Sequence, residues 1–501
     1  MQTITLIWIA LPLLAGFSSY LLPRVDRVLA LGVALISSGY ARGLLFAWPE
    51  LSVQLIDSFG VTLQADRLSG FFVLTNALVT TAVVLYCWTK GKSAFFYTQI
   101  IILHGSVNAV FVCADFISLY VALEVVGIAA FLLIAYPRTD RSIWVGLRYL
   151  FVSNTAMLFY LIGAVLVYQA NQSFAYEGLH RAPMEAMALI VLGMLTKGGV
   201  FVSGLWLPLT HAEAETPVSA LLSGVVVKTG VFPLVRCALL VEEINPFLQL
   251  FSVATAFLGV VYAIFEKDTK RMLAASTVSQ MGFVLAAPAA AGFYALTHGL
   301  AKAALFLSAG NLPSRKFERL RQEPLPIGVW GVGAIAALSI SGLPLLSGYA
   351  AKTQALYQVA PWESNVLTLA AVGTVIAFAK FLFLPFERVP AVVGASSTGA
   401  LNFLSLPLAD SGNITTAKTP HLWPAAVLLS SSLVVANGFY PTGYVPLSIV
   451  KSLGVIGIGW LAYLVLFRRL KLTPIREVEQ LEHLIGVMSL VLVTLLGIML
   501  V

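Results

Sequence analysis

The chain has 501 residues, of which 59% are hydrophobic and 11% charged, and its formal net charge is +7. Soluble globular proteins carry about 25% charged residues, so this composition excludes an ordinary soluble protein. The long unbroken apolar runs also lack the alternation that transmembrane β-barrels require. The sequence therefore predicts an all-α, polytopic transmembrane helical bundle whose positive charge lies in its loops, with no nucleic-acid partner.

Apolar runs of about 20 residues, the length that spans a bilayer, follow one another along the chain. We expect about 14–16 helices. They are predicted near residues 2–22, 28–48, 68–88, 95–113, 115–135, 143–169, 185–207, 217–240, 247–265, 272–289, 291–311, 327–359, 365–386, 421–440, 445–467 and 481–501. The stretch 327–359 is too long and too rich in Gly and Pro to form one straight helix.

Basic and acidic loops alternate along these helices. The loops after odd-numbered helices contain Arg24, Arg27, Lys90, Lys92, Arg138, Arg141, Lys267, Lys270, Arg271, Arg315, Lys316, Arg319, Arg321, Arg468, Arg469, Lys471 and Arg476. The acids Asp57, Asp66, Glu177, Glu185, Glu242, Glu243 and Glu363 follow even-numbered helices. Because basic loops stay in the cytoplasm, we expect both termini on the non-cytoplasmic side of a prokaryotic inner membrane or a thylakoid membrane.

We expect the helices to group into five segments. Residues 1–94 are predicted to form three N-terminal helices, 95–240 and 247–386 two five-helix repeats, 387–420 a surface loop, and 421–501 C-terminal spanning helices.

Two ionisable residues lie far inside apolar helices of the first repeat. Glu124 is near the middle of FISLYVALEVVGIAAFLLI, and Lys197 follows more than ten apolar or small residues. Ionisable groups at such depth are functional candidates because burying them costs several kcal/mol. A buried amine tends to release its proton, and a nearby carboxylate restores its charge. We interpret Glu124 and Lys197 as a switchable pair.

Further basic residues lie inside later apolar helices, and together with Lys197 they form a row of buried basic residues along the chain. Lys228 is central in its helix, and His298 and Lys302 share one helical face because they are four residues apart. Lys352 follows a stretch with Gly342, Pro344 and Gly348 that predicts a broken helix, as do the glycines after Lys197. Lys380 either extends the row or snorkels towards the membrane surface.

Broken helices at corresponding places of two inverted repeats are typical of ion paths in transporters. We expect no metal or cofactor site in this chain, since no Gly-rich phosphate loop or dinucleotide fingerprint occurs. His211, Glu213 and Glu215 could be metal ligands, but Glu and Thr before Pro217 better fit the start of a helix.

Four segments carry a resemblance to a known family. They are KGGVFVSGLWLPLTHAEAETPVSALLSGVVVKTGVFPLVR (197–236), EKDTKRMLAASTVSQMGFVL (266–285), THGLAKAALFLSAGNL (297–312) and SISGLPLLSGYAAK (339–352). Over about residues 60–390 the chain resembles the antiporter-like subunits shared by respiratory complex I, membrane-bound hydrogenases and Mrp (multiple resistance and pH) sodium/proton antiporters.

The resemblance implies a 14-helix core of two inverted five-helix repeats, with two C-terminal helices added. Glu124 and Lys197 resemble the family's Glu–Lys pair. Lys228 and His298 resemble its central relay, with Lys302 beside them, and Lys352 resembles its terminal lysine. These residues would pass protons laterally through the membrane, and Lys352 would deliver them to the other side.

The Mrp D-type subunit is the member that the chain resembles most. One complex I member has glutamate where Lys352 stands, and the largest member adds a long lateral helix where this chain has two spanning segments. A departure is the Ala214–Pro217 turn, where many members have Ala-Pro-Thr.

We therefore predict a subunit of a hetero-oligomeric monovalent cation (Na⁺)/proton antiporter without catalytic chemistry of its own. The alternative is a proton-pumping membrane subunit of a complex I-like NAD(P)H/ferredoxin:quinone oxidoreductase or a membrane-bound hydrogenase, whose redox groups would lie in partner subunits. A stand-alone solute transporter and a silent membrane scaffold are further alternatives, and the scaffold does not explain the buried ionisable residues.

Overall fold

The computed structural model describes residues 1–56, 60–387, 420–470, 472 and 474–499. The predicted surface loop 387–420 lies, except at its two ends, outside the described residues. The described chain is dominated by helices, which confirms a polytopic helical membrane protein.

Twenty α-helices follow one another along the described chain. The first six are α1 (Gln2–Leu21), α2 (Asp26–Phe46), α3 (Arg67–Cys87), α4 (Ala94–Val110), α5 (Phe116–Ile134) and α6 (Asp140–Asn171). The next eight are α7 (Met184–Lys197), α8 (Leu207–Glu213), α9 (Thr216–Leu221), α10 (Lys228–Leu240), α11 (Asn245–Phe265), α12 (Thr269–Ala286), α13 (Ala291–Ala309) and α14 (Phe317–Leu320). The last six are α15 (Ile327–Ser341), α16 (Ser347–Tyr357), α17 (Pro361–Leu382), α18 (Leu422–Val435), α19 (Pro446–Ala462) and α20 (Leu481–Met499).

Each predicted apolar run coincides with observed helix. Twelve helical segments of the described chain are long and apolar enough to cross a membrane, and three shorter apolar helices accompany them. Helix α12 is more polar because every one of its residues is buried within the protein, so it has no lipid-facing side that must be apolar. The division into two five-helix repeats of opposite orientation stays a prediction.

Two short β-sheets interrupt the helices. Strands β1 (Leu51–Ile56) and β2 (Gly60–Ala65) form an antiparallel hairpin, and the two-residue strands β3 (Leu325–Pro326) and β4 (Phe386–Glu387) pair in parallel. The sequence analysis did not identify the hairpin, although apolar residues alternate along β1, which is typical of a strand.

The broken helices occur where Gly and Pro predicted them. Helix α7 ends at Lys197 and resumes as α8 after a 3₁₀ segment, Phe201–Trp206. Helices α15 and α16 are separated by a break in which Gly342 has a φ of 90° and Leu345 a φ of 78°. A π-helical turn, Leu222–Val226, lies between α9 and α10.

The two C-terminal helices contact different parts of the bundle. Helix α19 packs on α17, and α20 packs on α7 and on the 3₁₀ segment that follows it. Each broken region therefore has C-terminal residues as neighbours.

Candidate functional site

All basic residues of the predicted row are buried in the protein interior. Their side chains come from α7, α10, α13, α16 and α17. The residues, with their exposed fractions, are Lys197 (4%), Lys228 (0%), His298 (3%), Lys302 (0%), Lys352 (7%) and Lys380 (7%).

Lys197 lies at the C-terminal end of α7, beside α5 and α6. Its Nζ donates to Ser153 Oγ at 2.5 Å. The described structure contains no ion pair between Lys197 and Glu124, and Glu124 Oε1 is buried without a hydrogen-bond partner. Gly127 lies one turn after Glu124 on α5. It lets Lys197 Nζ approach this helix closely, because a Cβ at position 127 would lie 3.2 Å from that nitrogen.

The π-helical turn creates the Lys228 site. A π-turn leaves backbone carbonyls outside the regular helical hydrogen bonding and often marks functional positions. Lys228 Nζ donates to Gly224 O at 2.6 Å and to Ser223 O at 3.2 Å. It also lies 3.1 Å from His298 Nδ1 on α13. The amine is therefore held by neutral groups only.

His298 lies between Lys228 and Lys352. Its Nε2 is buried without a partner, and the residue lines a narrow cavity together with Lys352, Gln280 and Tyr294. The cavity has room for about one water molecule. Lys352 Nζ also has no hydrogen-bond partner within the described chain, so a single water could connect the imidazole and this amine.

A wider cavity of about 440 Å³ lies on another side of Lys352. Most of its lining surface is apolar, but Ser341, Thr353, Ser448 and Lys451 of α19 are among the residues that line it. Lys352 thus has one cavity shared with His298 and a second, wider one.

Lys302, one turn after His298 on α13, contacts α12. Its Nζ donates to Leu273 O at 2.8 Å and to Ser276 Oγ, both on α12. Within the described chain, the hydrogen bonds of Lys302 therefore go to α12 and not to Lys228, His298 or Lys352.

Lys380 occupies a helix-capping position. Its Nζ donates to Ala263 O and Glu266 O, each at 2.8 Å, at the C-terminal end of α11. Lysines near a helix C-terminus satisfy the last carbonyl groups and interact favourably with the helix dipole.

Lys197 and Lys228 are not joined by a hydrogen bond, but the backbone just after Lys228 closely approaches the backbone at Lys197 and Gly198. A Cβ at Gly230 would lie 2.2 Å from Gly198 N, so only glycine permits this approach. The break after α7 and the start of α10 therefore lie side by side.

The three residues considered as possible metal ligands, His211, Glu213 and Glu215, contact different partners. Glu213 pairs with Arg141 at 3.6 Å and Glu215 with Lys92 at 2.6 Å. The ring of His211 stacks on Phe306 with centroids 4.8 Å apart. The described residues contain no group of three or more His, Cys, Asp or Glu placed to hold a metal.

The sequence analysis missed a second buried polar cluster. His104 of α4 is 1% exposed and lies 3.1 Å from Thr80 Oγ1 and 2.8 Å from Ser37 Oγ. Asn108 donates to Ser37 Oγ and Asn76 donates to Asn108. A lone histidine in an apolar run was the available signal. The cluster joins α2, α3 and α4.

The sequence is similar to subunits of quinone oxidoreductases and hydrogenases. It is 28% identical to NAD(P)H-quinone oxidoreductase chain 4 1 of Synechococcus elongatus, over 86% of this chain and 87% of that protein. It is 28% identical to NADH-quinone oxidoreductase subunit N of Desulforudis audaxviator, over 69% and 75% of the two chains. It is 29% identical to hydrogenase-4 component B of Escherichia coli, over 72% and 62%.

Solved structures have the same fold. A chain of the Mrp complex from Dietzia sp. superposes with a TM-score of 0.73 at 19% identity, covering 96% of this chain and 99% of that one. A chain of the membrane-bound sulfane sulfur reductase, an archaeal respiratory membrane complex, also gives a TM-score of 0.73 at 18% identity, covering 92% and 99%.

Residues 113–377 match the family described as NADH:quinone oxidoreductase/Mrp antiporter, TM. This region extends from the residues just before α5 into α17 and contains every residue of the predicted row except Lys380. The chain therefore belongs to this family and is an antiporter-like membrane subunit of the Mrp and complex I-like kind.

Proposed function

We propose that the chain is the proton-translocating subunit of a multi-subunit monovalent cation/proton antiporter of Mrp type. The observation that carries the proposal is the sequence of groups Lys228, His298 and Lys352, in which an imidazole has one amine at 3.1 Å and shares a water-sized cavity with the next. Imidazole can accept a proton on one nitrogen while it donates from the other.

Proton movement would begin at the Glu124–Lys197 pair. Separation from Glu124 removes the charge that favours a protonated Lys197, and burial then favours release of its proton. Lys197 donates to Ser153 Oγ and forms no ion pair with Glu124 within the described chain, so in this proposal the pair forms when Lys197 takes up a proton. Lys228 receives the proton, His298 relays it, and Lys352 delivers it towards the wider cavity beside α19, which Lys451 also lines. We leave Lys380 outside this path, because capping α11 already accounts for its burial.

The redox-driven alternative uses the same residues in another assembly. The similarity to quinone oxidoreductase chains favours it, since those relatives cover most of this chain. Lysine at position 352 and the two helices α19 and α20, in place of a long lateral helix, favour the Mrp-type assembly. The proteins that copurify distinguish the two: small membrane subunits alone support the antiporter, and an iron–sulfur arm supports the redox pump.

The proposed relay is tested in vesicles that contain the purified complex. A sodium gradient is imposed and internal pH is followed with a fluorescent dye. Lys228→Met keeps the volume of the side chain but removes its proton site, and we expect proton flux to fall at least about tenfold. Lys267→Met, at an exposed loop lysine, is the matched control. Wild-type flux in Lys228→Met would rule out the relay.

A further inference from the structure

We propose that the wider cavity beside Lys352 binds an anionic phospholipid, whose phosphate contacts Lys451 and one of whose acyl chains lies between α17 and α19. The cavity lies beside the break between α15 and α16, and residues of α17 and α19 complete its lining.

Helices α17 and α19 both begin at the membrane face opposite the basic Lys267–Arg271 loop. Near the end of α17, Lys380 donates to Glu266 O, next to that loop. Just after α19, the ring of Phe467 contacts that of Phe265, which also lies beside the loop, with centroids 6.0 Å apart. The cavity can therefore be followed from the starts of the two helices, at one membrane face, towards the bilayer interior.

The polarity of the lining changes with depth. Asn365, Ser448 and Lys451 line the cavity from the first two turns of their helices. Ala371 and Ile458 line its deeper part, about 15 Å or more from the helix starts at a rise of 1.5 Å per residue. A cavity that is polar near the membrane surface and apolar towards the hydrocarbon core matches a phospholipid, whose head and chains are separated in the same way.

Lys451 is a charge in the membrane without a counter-ion. It is the one charged residue of α19, which is long and apolar enough to span the membrane, and it is exposed. Within the described chain it has no ion pair or hydrogen bond, and no acidic residue lines the cavity. An ammonium group in a spanning helix is costly unless it reaches water or pairs with an anion. A lipid phosphate would supply that anion.

The charge of the cavity favours a lipid with a net negative head group. Lys352 lines the cavity together with Lys451, and its Nζ has no hydrogen-bond partner within the described chain. Two lysines would repel the choline group of a zwitterionic lipid, so phosphatidylglycerol is preferred to phosphatidylcholine. The lipid would cover the cavity into which Lys352 delivers protons. Its effect on proton flux therefore rests on the proposed function, whereas its binding does not.

Two glycines of α19 offer a matched pair of substitutions. Gly454 lines the cavity, whereas Gly457 is not among its lining residues. Both are exposed, and a Cβ at either position would meet no atom within 4 Å. Leucine therefore fits at both positions without a clash, but only at position 454 would it take the space of the acyl chain.

The test is native mass spectrometry of the purified complex, delipidated in detergent and titrated with phosphatidylglycerol. We expect wild type to bind one phosphatidylglycerol more tightly than phosphatidylcholine, and Lys451→Met to lower the affinity for that lipid at least about fivefold. Gly454→Leu should lower the affinity too, although Lys451 is kept. Gly457→Leu should match wild type, as should Lys316→Met, at an exposed lysine paired with the basic loop at the opposite face.

Lipid binding and the proton relay can fail separately. Lys228→Met should bind phosphatidylglycerol as wild type does even where its proton flux is lost, and this result would support a distinct site. Equal affinities of wild type and Lys451→Met, measured on complexes that retain all subunits, would overturn the proposal and mean that Lys451 reaches water instead. Displacement of the lipid by inorganic phosphate would overturn it, because the acyl chain would then contribute nothing. The absence of a tightly bound phosphatidylglycerol on the wild-type complex, as when a partner subunit covers the cavity, would overturn it as well.

Discussion

His298 differs from the amines around it because a neutral imidazole carries a donor and an acceptor at once. Its Nδ1 lies 3.1 Å from Lys228 Nζ, and its Nε2 has no protein partner within the described chain. One nitrogen can therefore receive a proton from Lys228 while the other passes one to a water shared with Lys352. The lysines cannot do this, since an ammonium group has donors only.

Glutamine at position 298 separates hydrogen bonding from proton transfer. An amide offers a donor and an acceptor but does not take up a proton near neutral pH. We expect His298→Gln to fold normally and to lower proton flux in vesicles at least about tenfold. Dye-reported pH change under a sodium gradient measures the flux. Flux equal to wild type would mean that water alone connects Lys228 with Lys352.

Lys380 is expected to support stability and not transport. Lys380→Met leaves the carbonyl groups of Ala263 and Glu266, at the C-terminal end of α11, without this donor, and we expect the free energy of unfolding to fall by about 1–3 kcal/mol. Thermal unfolding of the purified protein measures the loss. Proton flux per folded molecule should stay at the wild-type level, whereas Lys352→Met should lose it. The reverse pattern would place Lys380 in the path.

The burial of the ionisable residues in the site could be predicted, because each is an isolated charge in an apolar run. The partners could not be predicted, since Ser153 and the carbonyl groups of Ser223 and Gly224 carry no charge that stands out in sequence. The π-helical turn also has no distinctive residue. His104 had the same signal as His298, but without a lysine one turn away it did not stand out.

At the scale of elements, C-terminal residues hold the break between α15 and α16 in place. Ser452 Oγ donates to Gly342 O at 2.6 Å, and Leu345 N donates to Tyr444 OH at 3.0 Å. Backbone groups freed at a break inside a membrane must be satisfied by neighbouring protein. The geometry around Lys352 therefore depends on residues outside the matched family region.

Tyr444→Phe removes the acceptor for Leu345 N–H and keeps the ring. We expect amide hydrogen exchange in the segment 342–347 to become at least about tenfold faster, because the break opens more readily. Exchange detected by mass spectrometry on peptides from this segment measures the change. Tyr20→Phe, at an exposed tyrosine of α1, is the control. Unchanged exchange in Tyr444→Phe would show that the break is held without this contact.

The breaks themselves could be predicted, because Gly and Pro act locally on the helix. The contacts that hold them could not, since Gly342 and Ser452 are more than 100 residues apart. The hairpin of β1 and β2 was missed for a related reason. Thr62 N donates to Asp115 Oδ2 at 2.7 Å, so part of what stabilises the hairpin lies beyond its own sequence.

In the whole molecule, a cluster of ion pairs joins distant helices near the start of α12. Arg271 contacts Glu266 at 3.1 Å and Glu479 at 2.5 Å. Arg148 of α6 donates to Glu479 O, and Arg476 lies 3.2 Å from Glu266. The segment before α20 is thus tied to α6 of the first half and to α11 and α12 of the second.

The ion pairs make stability depend on pH through Glu266, which lies after the end of α11. Burial alone would raise the pKa of its carboxyl, but the Arg271 charge and the hydrogen bonds from Arg271 and from the Lys267 and Asp268 backbone outweigh burial and lower the pKa from 4.5. A carboxyl whose pKa is lowered by folding stabilises the protein above its unfolded pKa. This contribution is lost as pH falls through the folded value.

Glu266→Gln should therefore lower the unfolding free energy near neutral pH, by about 3–5 kcal/mol for a broken buried pair. The difference in unfolding free energy between wild type and Glu266→Gln should stay constant down to about pH 5.5. It should shrink below pH 4.5, where protonation of Glu266 begins to weaken the ion pairs of the wild-type protein. Thermal unfolding of the purified protein between pH 7 and about pH 3.5 measures both curves. Glu318→Gln, at an exposed acid on α14, should follow wild type throughout. A wild-type-to-variant difference that does not shrink in acid would mean that Glu266 contributes through packing and not through its charge.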